Sequence, residues 1–357
     1  MPNEGTQEEQ VPPVLASSVH DIRYFSNLLR GVNFAQRATM TINDNGLTVQ
    51  VEESRTITAT AYIFKDIFDE FAYHPHHPPR SLSREPSPSP TPPPPAPGEI
   101  ETALEIPLTT LIDCLNIFGT AGLTTSGGGG GASKGKKWRR TGDDDRGAEN
   151  RIEQFFAGGE KRTGMRLSYA GVGHPLTLLV AEDAAGPTAR CEVTTYDAEP
   201  QLDLEFDKDL VALRIILKSS WMRDALSELD PSCDRLTFIA NPPPDPAQPN
   251  NARASRTPAR PIFRIQAVGT FGSTEMDYPN DKEVLESVEC AGPVNFSYRF
   301  SHVSRTLKAL QSSTKTSLRI DEDGLLSLQL MMPSPRPTGG VSQALIEFRC
   351  LPLDETV

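Results

Sequence analysis

Two carboxylates separated by one residue form the most suggestive catalytic pattern in the chain. Asp203 and Glu205 lie in the stretch LDLEFD, and on an extended strand side chains two positions apart share one face. Some two-metal exonucleases hold Mg²⁺ with such an Asp-x-Glu pair, but they need further carboxylates from other elements. Leu202, Leu204 and Phe206 alternate with the acidic residues, which is typical of an amphipathic extended segment. The sequence therefore favours a structural role for this stretch.

Three other short motifs could carry chemistry. GGASKGKK (residues 130–137) nearly matches a phosphate-binding loop, but Lys137 stands where a metal-binding hydroxyl is needed and no strand precedes it. HPHHPP (74–79) lacks a nearby Cys or acidic partner for a metal. Ser87, Ser89 and Thr91 each precede a proline, so they are candidate phosphorylation sites. We predict no metal, no cofactor and no enzyme activity.

Basic residues with helical spacing are the remaining candidate for chemistry. The chain has 35 Lys and Arg against 47 Asp and Glu, a net charge of −12, which argues against coating nucleic acid with the whole surface. A basic lining on an acidic body could still bind phosphate backbone without reading bases. The candidate residues lie off the apolar stripes of their predicted helices: Arg23, Arg30, Lys218, Arg223, Arg305 and Lys308.

Composition limits where a core can form. Residues 74–99, 120–162 and 242–260 are rich in Pro, Gly or charge, so they cannot bury enough apolar surface to offset the entropy of ordering. We predict that they are disordered, as is the polar tail 1–14. The five Cys form no CxxC pair, which indicates free thiols in a reducing compartment. No signal peptide or membrane-spanning run is recognisable.

Helix and strand patterns repeat four times along the chain. Apolar residues at helical spacing predict short helices over 19–32, 107–119, 219–230 and 301–312, each followed by about three strands rich in Thr, Val and Ile. The stretches TINDNGLTVQV (41–51) and RIDEDGLLSLQL (319–330) both read as hairpins, in the first and last repeats. We predict an α+β fold with two similar domains, each of two helix-plus-sheet units.

The predicted domain bounds follow from these repeats. The first domain spans 15–198 and contains the inserts 74–99 and 120–162, and the second spans 213–357 with the insert 242–260. Between them, residues 199–212 form an acidic connector. Surface loops can lengthen at little thermodynamic cost, so the inserts leave the predicted fold intact.

Several segments resemble the DNA sliding clamps of the PCNA type. They include IFKDIFDEF (63–71), LTTLIDCLNIFG (108–119), YAGVGHPLTLLVAED (169–183) and TFGSTEMDYPND (270–281), in that order. Within the clamps, the sequence is most similar to the Rad-one family of subunits of the heterotrimeric nine-one-one checkpoint clamp. The resemblance implies a PCNA-like clamp fold and a non-catalytic ring subunit that encircles DNA at damage sites. A 3′→5′ exonuclease with a metal-dependent carboxylate site is the alternative that the same family implies.

The resemblance also implies partners and sites. Each clamp domain would contribute two helices to an inner wall facing duplex DNA, where the six basic residues would make non-specific phosphate contacts. The implied partners are Rad-nine-like and Hus-one-like subunits and a clamp loader of the replication-factor-C type, in the nucleus and without membrane attachment. In this family a groove beneath the connector docks partner peptides. Its candidate lining residues here are Tyr62, Leu202, Leu204, Phe206, Met331 and Leu345.

Overall fold

The computed structural model describes residues 12–75, 101–119, 163–182, 186–242, 261–333 and 344–354. Strands dominate this part of the chain, and short helices connect them. The first half contains β1 (Leu15–Val19), α1 (Ile22–Gly31), β2 (Arg37–Asn43), β3 (Gly46–Glu53), β4 (Ile57–Phe64), β5 (Glu70–Tyr73), β6 (Thr102–Pro107), α2 (Leu108–Leu115), β7 (Gly164–Tyr169), β8 (Leu176–Ala181), β9 (Thr188–Val193) and β10 (Tyr196–Asp197).

The second half has the same order of elements, except that it has no counterpart of β10 and two short helices stand in place of α2. It contains β11 (Val211–Lys218), α3 (Ser219–Glu228), β12 (Cys233–Ala240), β13 (Phe263–Gly269), β14 (Gly272–Tyr278), β15 (Leu285–Cys290), β16 (Val294–Arg299), α4 (Phe300–Val303), α5 (Leu307–Leu310), β17 (Lys315–Asp321), β18 (Leu326–Met332) and β19 (Ala344–Cys350). A 3₁₀ turn, Ser304–Thr306, separates α4 from α5. Residues 300–310 therefore take the place that α2 has in the first half.

The strand order of the sheets repeats between the two halves. The first half forms a five-stranded sheet, β5-β1-β7-β8-β9, and the second half forms the equivalent run β15-β11-β17-β18-β19. Likewise β6-β2-β3-β4 in the first half corresponds to β16-β12-β13-β14 in the second. The neighbouring strands pair antiparallel throughout these sheets. The strand order of the first half is thus repeated in the second.

One strand pair joins the two halves. β4 pairs antiparallel with β19, with Tyr62 opposite Leu345 and Ile57 opposite Cys350, and the result is a continuous ten-stranded sheet ending in β10 and β15. By the internal repeat, β14 is the equivalent of β4, and β9 is the equivalent of β19. Both β9 and β14 are edge strands of their sheets in the described structure.

The helices lie side by side in one row. α1 packs against α2 on one side and α5 on the other, and α5 packs against α3. Apolar residues at helical spacing bind each helix to the sheets, as with Ile22, Phe25 and Leu29 of α1, all of which are buried. Gly31 at the end of α1 permits the close approach of the two halves, because a Cβ there would clash with the Ile346 side chain and lie 3.2 Å from Cβ of Ala309.

Three of the predicted helices are found at their predicted places with shorter ends, whereas the predicted helix 301–312 is broken by a 3₁₀ turn into two four-residue helices. The structure also contains strands that the sequence analysis did not assign, namely β1, β5, β6, β15 and β16. Val14, assigned to the disordered tail, is buried. His74, assigned to an insert, donates its backbone N–H to Val14 O at 2.8 Å. Residues 76–99 of this insert lie outside the described residues, and so do the three candidate phosphorylation sites, Ser87, Ser89 and Thr91.

The whole insert 120–162, and residues 243–260 of the insert 242–260, also lie outside the described residues. In the described ranges, no helix is both long and apolar enough to span a membrane.

Candidate functional site

Three of the six candidate DNA-facing residues make ion pairs with acidic residues of the same chain. Arg23 binds the N-cap residue of α1, Asp21, with its guanidinium 2.7 Å from a carboxylate oxygen, and its side chain is only 12% exposed. Arg223 lies 2.7 Å from the carboxylate of Asp224. Arg305 lies 2.9 Å from Glu53 on β3. The positive charge of these three residues is therefore largely neutralised.

Arg30 and Lys308 lie together where the two halves meet. They line a cleft of about 200 Å³ between α1 and α5 together with four uncharged polar residues, Asn27, Asn33, Gln311 and Ser312. Lys308 Nζ donates to the backbone oxygen of Asn33 at 3.1 Å. Burial lowers the pKa of Arg30, while the negative charge of Asp113 on α2 opposes that shift. The cleft thus holds two cations and no carboxylate among its lining residues.

Lys218, the sixth candidate, is exposed and is the N-cap residue of α3. The helix row also carries exposed acidic residues, Asp113 on α2 and Asp224 and Glu228 on α3. The row is therefore mixed in charge, and two of its basic residues, Arg30 and Lys308, lie together at the α1–α5 junction.

On the other face of the ten-stranded sheet, the connector crosses in an extended conformation. Leu204 and Phe206 are each 8% exposed and pack with Leu325 in a small apolar cluster. Asp203 and Glu205, which alternate with these two residues, are exposed to solvent. The guanidinium of Arg319 lies 4.8 Å from the centroid of the Phe206 ring, a favourable cation–π distance. The alternation seen in the sequence is thus an amphipathic segment lying on a sheet.

Polar contacts hold the connector in place at two strands. The backbone N–H of Leu202 donates to Glu52 Oε2 at 2.9 Å, and Gln50 Nε2 donates to the Leu202 oxygen at 3.3 Å. Arg349 on β19 donates to the Leu204 oxygen at 2.7 Å. Because β3 belongs to the first half and β19 to the second, these bonds attach the connector to both halves.

Glu347 is the centre of a buried polar network beneath the connector. Its carboxylate, 5% exposed, accepts hydrogen bonds from Arg319 at 3.1 Å and from Arg349 at 3.0 Å. It also accepts from the Ser327 hydroxyl at 2.7 Å and the Tyr62 hydroxyl at 3.3 Å. Burial by itself would raise the pKa of Glu347, but the Ser327 bond and the two arginines outweigh it, so the pKa is lowered. The carboxylate is therefore ionised and fully engaged.

A cavity of about 350 Å³ lies between the connector and the strands. Of the candidate groove residues, Tyr62, Leu202 and Leu204 line it. Leu345 pairs in register with Tyr62, and Met331 pairs with Leu345, so these three half-buried side chains form a row beside the cavity. Phe206 packs on Leu325 instead. The partner groove stays a prediction, and its described lining is more polar than the sequence suggested.

Asp203 shares a cavity lining with Glu101 and Glu347, but the acidic pair is not built into a metal site within the described residues. Asp203 is 73% exposed and lies 3.8 Å from the Arg349 guanidinium. In the described part of the chain, no group of three His, Cys, Asp or Glu residues is placed to hold a metal ion. An exonuclease site at this pair would need ligands from elsewhere.

The sequence analysis missed the residues that hold the connector. Arg319, Glu347 and Arg349 lie on β17 and β19 with the period-2 spacing that places them on one sheet face. A charged residue at every second position of an otherwise apolar strand, as in ALIEFRC (344–350), was the available signal. Their partners are far away in sequence, so the network itself could not be read.

Comparison with known proteins gives one family. The profile of a family described as "Repair protein Rad1/Rec1/Rad17" matches residues 14–332. The cell cycle checkpoint protein RAD1 of Mus musculus is 28% identical over 349 residues, covering 98% of this chain and 96% of the mouse protein. The DNA damage checkpoint control protein rad1 of Schizosaccharomyces pombe is 27% identical, covering 93% of this chain and 84% of its own length.

A third relative has an enzyme's name. The protein named DNA repair exonuclease REC1 of Mycosarcoma maydis is 27% identical to this chain, with 99% of each protein covered. This relative overturns the sequence-based prediction that the chain is not an enzyme.

Proposed function

Because the chain belongs to the Rad1/Rec1/Rad17 family of repair proteins, we propose that it is one subunit of a heterotrimeric ring that encircles duplex DNA at damage sites. The ring serves there as a platform for checkpoint signalling and repair factors in the nucleus. The checkpoint names of the mouse and fission-yeast relatives support this role. The two halves act as two clamp domains, residues 15–198 and 213–357, joined by the connector 199–212.

The observation that carries the proposal is the pair of edge strands. Within the chain, β4 of the first half pairs with β19 of the second, and their structural equivalents, β14 and β9, are left as edges. An exposed strand edge presents unpaired N–H and C=O groups to another chain. Pairing β14 of one subunit with the β9 equivalent of the next repeats the internal joint between chains. Repeating one joint by rotation closes a ring.

The helix row forms the inner wall of this ring. In it, the cleft between α1 and α5 is the main phosphate contact, because it brings two cations, Arg30 and Lys308, together. Arg23, Arg223 and Arg305, with their own acidic partners, contribute less, and exposed Lys218 contributes at the α3 end. Weak phosphate contact suits a ring, because topological closure rather than affinity prevents its escape.

The assembly partners are a Rad-nine-like and a Hus-one-like chain, and a clamp loader of the replication-factor-C type places the ring on DNA. The outer face under the connector docks partner proteins. The connector is hydrogen-bonded to both halves through Gln50, Glu52 and Arg349, which supports a fixed docking surface there.

Retention on DNA of different topology tests the proposal. The ring is assembled with its two partners, loaded on closed circular plasmid and washed at high salt. We expect retention on the circle and loss when the plasmid is linearised, since salt screens phosphate contacts but not encirclement. Equal loss from both forms would contradict the proposal.

A second candidate function is a 3′→5′ DNA exonuclease, favoured by the name of the Mycosarcoma maydis relative. Mg²⁺-dependent release of nucleotides from 3′ ends by the purified chain would support it. The Asp203→Ala, Glu205→Ala double variant should then abolish the activity if the acidic pair holds the metal. Absence of Mg²⁺-dependent release from the unmodified chain would exclude this candidate.

A further inference from the structure

The cavity beneath the connector is built from polar side chains. Four threonines from three adjacent strands line it, Thr41 on β2, Thr48 on β3, and Thr58 and Thr60 on β4. The remaining lining residues are Gln50, Tyr62, Glu101, Leu202, Asp203, Leu204, Glu347 and Arg349. A large apolar side chain placed here would cover hydroxyl and amide groups without giving them hydrogen-bond partners, which is unfavourable.

The apolar side of the connector is already occupied. Leu204 and Phe206 are buried against Leu325, and of the three connector residues that line the cavity, Leu202, Asp203 and Leu204, only Asp203 is charged. Thr58 is 4% exposed, so its position is accessible through the cavity and hardly from open solvent.

The charged groups around the cavity leave it negative. Its lining contains three carboxylates, Glu101, Asp203 and Glu347, and one cation, Arg349. Glu347 binds Arg349 at 3.0 Å and also Arg319, from outside the lining, at 3.1 Å, so three carboxylates face two arginines and one negative charge is left in excess. Asp203 is 73% exposed at 3.8 Å from Arg349, and Glu101 is exposed and accepts a hydrogen bond from the neutral amide of Asn43 at 3.0 Å. An anionic group would be repelled, while a cation would meet two solvent-facing carboxylates and several hydroxyl acceptors.

We propose that this cavity binds the side chain of a lysine or arginine from a partner protein. The ammonium or guanidinium donates to the threonine hydroxyls and the carboxylates of Glu101 and Asp203. The aliphatic part of the partner lies on the adjacent row of Tyr62, Leu345 and Met331. The inference deepens the docking role given above to this face and rests on that role for the existence of a partner.

Threonine-methyl NMR of the full chain tests the inference with small probes. n-Butylammonium and ethylguanidinium represent the two basic side chains, n-butanol is the neutral probe of matched length, and p-cresol represents an aromatic side chain. We expect the cations to give saturable shifts of the methyl signals of Thr41, Thr48, Thr58 and Thr60. Both uncharged probes should require at least about fivefold higher concentration, consistent with loss of a modest charge interaction.

Matched variants identify the carboxylates. Asp203→Asn with Glu101→Gln should weaken cation binding about fivefold, whereas Asp234→Asn with Glu322→Gln, the same charge change at exposed sites outside the cavity lining, should not. The other threonine methyl signals report whether each variant keeps its fold. If a variant does not, the comparison of probes on the unmodified chain decides.

Equal or tighter binding of n-butanol or p-cresol at these methyl groups would overturn the inference, as would unchanged cation binding in the folded Asp203 and Glu101 variant. The measurement needs no ring. A ring that assembles while the cations fail to bind removes only this inference, and cation binding by a chain that forms no ring removes only the proposed assembly.

Discussion

At the residue scale, the buried carboxylate of Glu347 is the feature that organises the outer face. It receives two arginines, and both arginines in turn contact the connector, Arg349 by a hydrogen bond to Leu204 and Arg319 over the Phe206 ring. Removing one member of a buried ionic network leaves the others desolvated and unpaired, which costs more than the network contributes as a whole. The connector's position therefore depends on this one side chain.

We predict that Glu347→Gln lowers the free energy of unfolding at pH 7 by about 2–4 kcal/mol. The pKa of Glu347 is lowered in the folded chain, so its contribution is complete above the unfolded pKa of about 4.3 and is lost as pH falls through the folded pKa. The stability difference between the unmodified chain and the variant should therefore shrink as pH falls below about 4.3. Denaturant unfolding at a series of pH values measures it.

Glu289→Gln is the matched control, because Glu289 is 64% exposed and lies 3.7 Å from Arg214. Such an exposed pair contributes little. A loss of stability in both variants of similar size would contradict the assigned role of Glu347.

The helix-row cations give a second prediction at this scale. In the assembled ring, Arg30→Gln with Lys308→Gln should reduce the slope of log binding constant against log salt by about 2 on duplex DNA, since each phosphate contact contributes about 0.9. Arg166→Gln with Lys208→Gln removes the same charge away from the helices and should leave the slope unchanged. Fluorescence anisotropy over a salt series distinguishes the two. Equal slopes for the two double variants would refute a DNA-facing cleft.

The sequence predicts which helix residues are basic better than it predicts whether they form ion pairs within the chain. The six basic residues could be recognised from helical spacing, but the pairing of Arg23 with the N-cap residue Asp21 was not predicted. Glu53 is paired with Arg305, 252 positions away in the chain, and no local pattern in either segment predicts that contact. The shared cleft of Arg30 and Lys308 at the α1–α5 junction likewise joins segments far apart in the chain and could not be predicted from sequence.

At the element scale, the joint between the halves depends on a close helix–sheet approach at Gly31. Gly31→Val should destabilise the chain by about 1–3 kcal/mol, because an added side chain must displace buried Ile346 and approach Ala309. Gly292→Val is the control, since a Cβ there meets no described atom within 4 Å. Thermal unfolding of both variants measures the effect. A harmless Gly31→Val would show that the helix row is not tightly packed on β19.

The β3–β4 turn carries backbone strain. Ser54 and Arg55 have φ values of 55° and 54°, a left-handed conformation that costs about 1–3 kcal/mol for each non-glycine residue. Asn-Gly is the preferred pair for such turns, so Ser54→Asn with Arg55→Gly should raise the free energy of unfolding by about 1 kcal/mol or more. Ser54→Ala with Arg55→Ala retains the strain and should bring no gain. A loss of stability in the Asn-Gly variant would contradict this account of the turn.

The strands recognisable from sequence were those with a clear apolar alternation or long Thr, Val and Ile runs, such as β3 and β4. β15, with the sequence LESVEC, has two glutamates and a serine and was missed. It is a strand because it pairs with β11, a contact between segments far apart in the chain. Local pattern therefore identified the repeated unit, and long-range pairing completed it.

At the scale of the whole molecule, one strand pairing joins the two halves, and the strands equivalent to that pair lie at sheet edges of the described structure. β4–β19 pairing makes one continuous sheet from two similar halves, and β9 and β14 are the corresponding edges of the described structure. A ring needs such a head-to-tail surface, because each subunit must offer one edge and accept another. In the proposed ring, the helix row faces the enclosed space, and the connector and its cavity face outward.

The mass of the native assembly tests this account most directly. The chain is co-expressed with its Rad-nine-like and Hus-one-like partners, and the purified complex is weighed by native mass spectrometry. The account predicts a single species with one copy of each of the three chains. A stable homotrimer of this chain alone, or a monomer that binds neither partner, would contradict it.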